Sequence, residues 1–378
     1  MSLPGRRLRI GIAVLGLESA NDFRSAGIAR YGAALIDALA AGAAKNHEFH
    51  VYVMPGLAVP DSWKACPNIA VHRMWKRYTK WNMLLGGWEV WRRKLNYWVS
   101  TAHTVPLWSP APTALMIHDL FALEHPEWIQ AGQADFYRRF LPPAVNRAEL
   151  VFANSDATRR QLQDLLEVAD AKIVVTPLGP GNRLEPAKRE PAVNPTKFKR
   201  FIFSLSTLEP RKNLVRLIES FGKVKSDPRL ADLGLVIGGG KGWGYQDVLD
   251  AIDRHGLQND VDLLGYVPDE DLPALFAACD FYVCPSLQEG FGMPVLEALI
   301  AGAPVVCSAV GALLEVGGRA ARYFDPLDAD SMAEVMSEAL EHPESRGDWV
   351  EKGFQQAKRF SWDQTARLTV QALEDRAA

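Results

Sequence analysis

The stretch 281–311 limits the fold more than any other part of the chain. Phe281 to Cys284 is a short apolar run closed by Pro285 and Ser286, and it reads as a buried strand. A loop with two glycines follows, Glu289-Gly290-Phe291-Gly292. Pro294 then stands where a first helical residue belongs, because its missing N–H costs nothing there. Val295, Leu296, Ala298, Leu299 and Ala301 carry the helix to a stop at Gly302. Pro304 to Cys307 is the next apolar run, so the unit is strand, loop, helix, strand.

Chemistry collects at the loop. Gly290 and Gly292 let the backbone approach a ligand with no Cβ in the way. Unpaired N–H groups at a helix start favour anionic or hydroxyl-rich ligands. Glu289 lies in the loop and Glu297 is placed in the first helical turn, eight positions on. A sugar nucleotide has hydroxyls at both ends, and two such carboxylates can accept hydrogen bonds from both while amides hold the phosphates. The plainer reading is a helix N-terminus whose acidic residues favour its dipole.

The glutamates, the glycines, Pro294 and Gly302 come as one run, and that run resembles the Glu-x7-Glu signature of retaining GT-B glycosyltransferases, family 4. The resemblance implies that Glu289 faces the donor sugar and that Glu297 binds the ribose hydroxyls. It places Gly290, Phe291 and Gly292 at the donor. It covers the second half of the chain nearly end to end and the first half in patches.

A chain of 378 residues favours two domains. The net charge of −3 supplies no basic field for nucleic acid, so none is expected as a partner. Cys66, Cys279, Cys284 and Cys307 form no C-x-x-C pair, and three lie in apolar runs, as buried thiols of a reducing compartment do. No apolar run reaches the ~18–20 residues that span a bilayer. With no signal-peptide pattern either, the expected location is cytoplasmic.

In order, Leu8 to Leu15 reads as a parallel-type strand, Glu18 to Ser25 as a polar loop, and Gly27 to about Ala41 as a helix. The family's first loop usually carries two adjacent glycines. Ala26 takes the first place here, which leaves Gly27 as the donor-site candidate. Phe49 to Met54 is a strand. Residues 71–99 then interleave Trp75, Trp81, Trp88, Trp91 and Trp98 with Arg73, Lys76, Arg77, Lys80, Arg92, Arg93 and Lys94. Indoles with basic side chains suit a membrane interface with anionic lipid; the same pattern also fits two core helices with solvated cations. Trp81, Trp88 and Trp91 are spaced as one helical face.

Strand Ala114 to Ile117 ends in His118-Asp119, outside a strand's carboxyl end, where open α/β sheets bind ligands. By the resemblance His118 lies near the transferred sugar, while Asp119 orders its loop. A helix from Asp135 to Arg147, strand Leu150 to Ala153, a helix capped by Ser155 and strand Ile173 to Thr176 complete the first domain, 1–178. Residues 179–199, with four prolines, form the linker. The second domain, 200–361, opens with strand Phe201 to Leu205 and a loop bearing Arg211 and Lys212, two cations suited to a diphosphate. Many family members carry an Arg where Thr207 stands, so Arg211 is expected to supply that charge. Leu235 to Ile237 runs into the glycine-rich 238–244, a close backbone turn placed beside the nucleotide that matches no phosphate-loop register. Val261 to Leu264 leads to Tyr266 and Val267, which by the resemblance lie along the base. Asp269 is expected to cap a helix to Cys279, Glu315 to lie in a loop, and two helices, about 329–341 and 363–375, to close the chain. The resemblance sends the last of them, 362–378, back onto the first domain.

The expectation is therefore an α/β chain of GT-B type, with two Rossmann-like domains facing each other across a cleft. The donor, a nucleoside-diphosphate sugar with GDP-mannose the first candidate, binds mainly to the second domain. The acceptor, a saccharide or a lipid-linked one, binds to the first. No Asp-x-Asp pair is read as a metal motif at a strand end, and neither metal nor cofactor is expected. His118, Glu289, Lys212 and Arg211 are the catalytic candidates. A GT-B epimerase and a silent nucleotide-sugar-binding protein share the same fold and site.

Overall fold

The computed structural model describes residues 7–15, 26–75, 78–129, 132–181, 196–342 and 345–377. The Glu18–Ser25 loop, Lys76, Arg77 and residues 182–195 of the expected linker lie outside these ranges. The chain divides into two units. One holds residues Met1–Gly179 with Phe360–Ala378, the other Pro180–Arg359.

The first unit is a parallel sheet of seven strands: β1 (Arg9–Ala13), β2 (Glu48–Val53), β3 (Ile69–Arg73), β4 (Tyr97–Ser100), β5 (Thr113–Ile117), β6 (Leu150–Ala153) and β7 (Ile173–Val175). Their order is β3-β2-β1-β4-β5-β6-β7. Strands β4, β5 and β6 read as apolar runs and are buried throughout, as strands covered on both faces are; the edge strand β3 carries His72 and Arg73 and is only partly buried. Helices α1 (Ala26–Ala38), α2 (Tyr78–Arg93), α3 (Gln133–Arg147) and α4 (Asp156–Leu166) cover the sheet. Ser155 caps α4 as expected, accepting from the Thr158 amide.

The stretch 71–99 does not behave as one piece. Trp98 lies in β4 and is fully buried, and Trp81 is 3% exposed against Tyr52 and Trp98. Trp88 and Trp91 are 52% and 56% exposed, so the expected single face is split. The cause is geometric. The line through Asn82, Gly86 and Val90, all buried in α2, lies roughly 140–160° from the Trp81–Trp88 line at ~100° per residue. Trp88 and Trp91 therefore lie on the open side of the helix, while Trp81 is closed over by Tyr52 and Trp98.

The second unit is a parallel sheet of six strands in the order β10-β9-β8-β11-β12-β13. They are β8 (Arg200–Leu205), β9 (Leu233–Gly238), β10 (Val261–Gly265), β11 (Phe281–Cys284), β12 (Val305–Ser308) and β13 (Ala321–Phe324). Its helices are α5 (Leu214–Val224), α6 (Tyr245–Arg254), α7 (Leu272–Ala278), α8 (Met293–Ala301), α9 (Gly311–Gly317), α10 (Ala329–Glu341) and α11 (Arg346–Ala357). Several expectations need correction here. Pro294 is the second residue of α8, so Glu297 lies in its second turn. Helix α7 begins at Leu272, and Asp271, not Asp269, holds its N-cap position. Glu315 lies within helix α9. Helix α11 is one more than the closing pair expected.

Helix α12 (Trp362–Ala377) belongs to the first unit. Trp362 packs on Tyr31 with ring centres 6.0 Å apart, and His47 Nε2 meets Glu374 at 2.8 Å.

Candidate active site

In the second unit the chain leaves β8 towards β9 and β10 on one side, and leaves β11 towards β12 and β13 on the other. The carboxyl ends of β8 and β11 therefore flank the point where strand order reverses, the ligand crevice of open α/β sheets. The loop after β8 delivers Glu209, Arg211 and Lys212; the loop after β11 delivers Ser286 and Glu289. Asn213 joins the loops. It adopts a left-handed backbone (φ +57°), and its amide donates to the carbonyls of Pro285 (3.0 Å) and Pro326 (2.8 Å). The Leu287 amide also donates to the Arg211 carbonyl at 2.9 Å.

Glu289 is the hub. Lys212 Nζ donates to its Oε1 at 2.6 Å, Ser286 Oγ to the same oxygen at 2.7 Å, and Arg211 Nη1 to Oε2 at 3.0 Å. Arg211 Nη1 also donates to the Gln288 carbonyl at 2.8 Å, and its Nη2 to Glu209 Oε1 at 2.8 Å. These side chains are only 11–14% exposed. Burial alone would raise the Glu289 pKa, but the Lys212 and Arg211 charges more than reverse it and hold it at about 2. Glu289 is thus permanently ionised at neutral pH and unfit as a proton donor. Two cations and two carboxylates form a buried, electrically balanced quartet.

Glu297 is buried in α8, and Gly290 and Phe291 are buried in the loop before it. Tyr282 feels both signature glutamates: burial, the Cys284 thiol, and the Glu289 and Glu297 carboxylates push its hydroxyl pKa far up. Gly292 takes a left-handed φ of +96° at the start of α8, a conformation that favours glycine. Tyr266 is exposed at the end of β10, whereas Val267 is buried with its Cγ2 against Gly238. The glycine run 238–244 does make a close backbone approach, but to its own chain. A Cβ on Gly239 would stand 1.9 Å from the Ser206 carbonyl oxygen, and one on Gly242 would stand 2.4 Å from that of Leu208. Packing against the loop that leads to Arg211 and Lys212 accounts for these glycines.

Asp-x-Asp spacing does occur, as in Asp328/Asp330, with a structural role. Asp328 caps α10 by accepting from the Asp330 amide, and Asp330 pairs with Lys223 at 2.6 Å.

In the first unit, strand order reverses between β1 and β4. His118 follows β5, its Nε2 2.9 Å from the Thr101 carbonyl. That partner accepts only, so the proton sits on Nε2 and Nδ1 is an acceptor. Burial lowers the pKa of His118 to about 4, so it is neutral at physiological pH. Its ring stands edge-on to Tyr31, 5.0 Å away. His103, in the loop after β4, has a left-handed φ of +44° and a pKa lowered to about 3, mainly by burial. Gly27 is exposed in the first turn of α1, with open space where a Cβ would be. The Arg211, Lys212 and Glu289 candidates thus come together in one cluster. Glu209, Ser286, Asn213 and His103 escaped the sequence reading, since each is a common loop residue with no motif to mark it.

Two family models match the chain: Glycosyltransferase Family 4 over residues 25–179 and Glycosyl transferases group 1 over 187–356. The O-antigen chain mannosyltransferase B of Escherichia coli is 32% identical over 262 residues, 68% of this chain and 68% of that protein. The chain belongs to the group 1 glycosyltransferases. The Escherichia coli serotype-specific mannosyltransferase WbdA is 27% identical over 70% of this chain, which spans only 33% of WbdA's length. A glycosyltransferase from Rickettsia africae ESF-5 matches with a TM-score of 0.71 at 16% identity, over 98% of both chains. At that identity the likeness shows the fold, which is GT-B. In this group 1 glycosyltransferase the balanced quartet lies within the span matched by the group 1 model.

Proposed function

We propose that this glycosyltransferase moves a hexosyl group from a nucleoside-diphosphate sugar to a saccharide or lipid-linked saccharide, in the synthesis of a surface polysaccharide, with retention at the anomeric carbon. Mannose from GDP-mannose is the first donor to test, because the relatives above are named mannosyltransferases. The observation that carries the reading is the Arg211–Lys212–Glu289 cluster at the crevice of the second unit.

In this reading the bond from the anomeric carbon to the diphosphate oxygen breaks. The acceptor oxygen bonds on the same face, and its proton goes to the departing phosphate. Arg211 and Lys212, already oriented, stabilise the charge that grows on the diphosphate. Glu289 offers its remaining Oε2 lone pair to a donor-sugar hydroxyl, Glu297 takes the ribose, and Gly290, Phe291, Gly292, Tyr266, Val267 and Gly27 line the donor. Neutral His118 presents Nδ1 as an acceptor to a sugar hydroxyl. No step calls on a metal ion. The first unit binds the acceptor, and the exposed indoles of α2 rest on an anionic membrane surface from the cytoplasmic side.

A panel of labelled GDP- and UDP-sugars, incubated with total lipid extract, tests this. Label transferred to lipid or glycan supports it. Free sugar as the product would favour an epimerase, and bound nucleotide without turnover a silent binding protein. Sedimentation with anionic and neutral vesicles tests the membrane contact, which fails if the protein never sediments.

A further inference from the structure

A groove of about 480 Å³ lies in the first unit between α2 and the edge strand β3, within the usual size of small-ligand sites, about 300–1,000 Å³. Tyr52, Val71 and His72 line it together with Trp75, Trp88, Glu89 and three guanidinium groups, those of Arg73, Arg92 and Arg93. Trp75 and Trp88 are exposed. Three guanidiniums against one carboxylate leave two positive charges, and His72, its pKa lowered to about 4 by burial and by Arg93, stays neutral.

The charged side chains are held in place from behind. Arg92 Nη2 bonds both oxygens of Glu89 (2.9 and 2.8 Å), and Arg93 Nε bonds Oε2 at 2.9 Å. Tyr52 donates to the same carboxylate at 3.0 Å. Arg93 Nη2 donates to His72 Nδ1 (3.2 Å), so His72 Nε2 carries the proton and donates to His50 Nδ1 (3.0 Å), and His50 Nε2 donates to Glu48 (2.9 Å). Arg92 keeps Nε and Nη1 for another partner.

We propose that this groove is a second saccharide site, specific for a sugar that carries a phosphate. The apolar face of a pyranose stacks on an exposed indole, and the phosphate accepts from Arg92 Nη1–H. The site belongs to different elements from the donor cluster and does not depend on the donor proposed above. The same chemistry could come from a free sugar phosphate or from the sugar-phosphate headgroup of a lipid.

The test is calorimetry on the full chain, with saturating nucleoside diphosphate present throughout to occupy the donor site. Mannose 6-phosphate should bind about tenfold or more tightly than either mannose or inorganic phosphate. Arg92→Gln should weaken it by about 10- to 100-fold, the range for loss of a charged hydrogen bond, and Trp88→Ala by about tenfold. Trp88 is exposed, so its truncation should leave the fold intact, as an unchanged melting curve would verify. Vesicles carrying a lipid-linked sugar diphosphate, compared with plain anionic vesicles, separate the sources: preference for the former assigns the ligand to a lipid headgroup, and competition by the free sugar phosphate places both in one groove. The proposal is overturned if mannose 6-phosphate does not bind at millimolar concentration. It is equally overturned if both variants bind it like the wild type, or if inorganic phosphate binds as well. Equal binding of plain and sugar-bearing vesicles assigns the ligand to the free sugar phosphate.

Discussion

Glu289 joins two demands that pull in different directions. It is the carboxylate nearest the proposed chemistry, and it also keeps Arg211 and Lys212 apart from each other's charge. Removing it should act on both. Glu289→Ala should cut transfer by about 100-fold or more and lower stability by about 3–5 kcal/mol, as breaking a buried ion pair does. Free nucleoside diphosphate should bind at least as well as before, because the loop then carries one more uncompensated positive charge. Transfer assays, denaturant melts and calorimetry on one preparation read all three, and loss of nucleotide binding in this variant would contradict the assignment. Glu297→Ala should instead weaken nucleotide binding by about tenfold or more, the loss of a charged hydrogen bond; an unchanged dissociation constant removes Glu297 from the site. The signature glutamates were legible because they sit in one contiguous run with glycines and a proline. Glu209 and Ser286 were not, since their importance lies in which charged group they face after two loops fold together.

At the level of elements, strands such as β5 and β6 were readable because burial on both faces leaves an apolar run. Strands β3 and β4 were hidden inside the tryptophan-rich stretch, where the alternation of indoles and cations suggested helices. Trp98, which the sequence left open between a membrane face and a core helix, is core in a strand. The glycine run 238–244 was readable as a close approach, while the identity of the approaching partner was not, since it depends on the 206–210 backbone across the sheet. Gly239→Ala makes this concrete. Its φ of +136° and the Ser206 carbonyl 1.9 Å from the new Cβ should destabilise the second unit by about 2 kcal/mol or more. A denaturant melt measures this, and a neutral result would contradict the packing described.

At the level of the whole molecule, the two units should respond differently to acid. His72, His103 and His118 all lie in the first unit with pKa values lowered to about 4, 3 and 4. Unfolded histidines titrate near 6.5, so over the interval between that value and about 4 the unfolded chain binds more protons. Stability of the first unit falls as the pH drops through that window. Glu289 in the second unit has its pKa lowered to about 2, so its contribution is complete above about 4.5 and is lost only below that. Hydrogen exchange at pH 7 and pH 5 should show protection falling in β1–β7 first; equal loss in both units would refute the assignment.

The route of the chain has a further consequence. Residues of the second unit are contiguous, whereas the first unit is interrupted at Gly179 and resumes at Phe360. A chain emerging from the ribosome can therefore complete the second unit while the first still lacks α12. Until that helix arrives, Tyr31 lacks its Trp362 neighbour and His47 lacks Glu374. The part made first is the part finished last. Stopping synthesis at residue 359 should leave the second unit able to bind nucleotide while the first, some 180 residues earlier in the chain, becomes the substrate for proteases and chaperones.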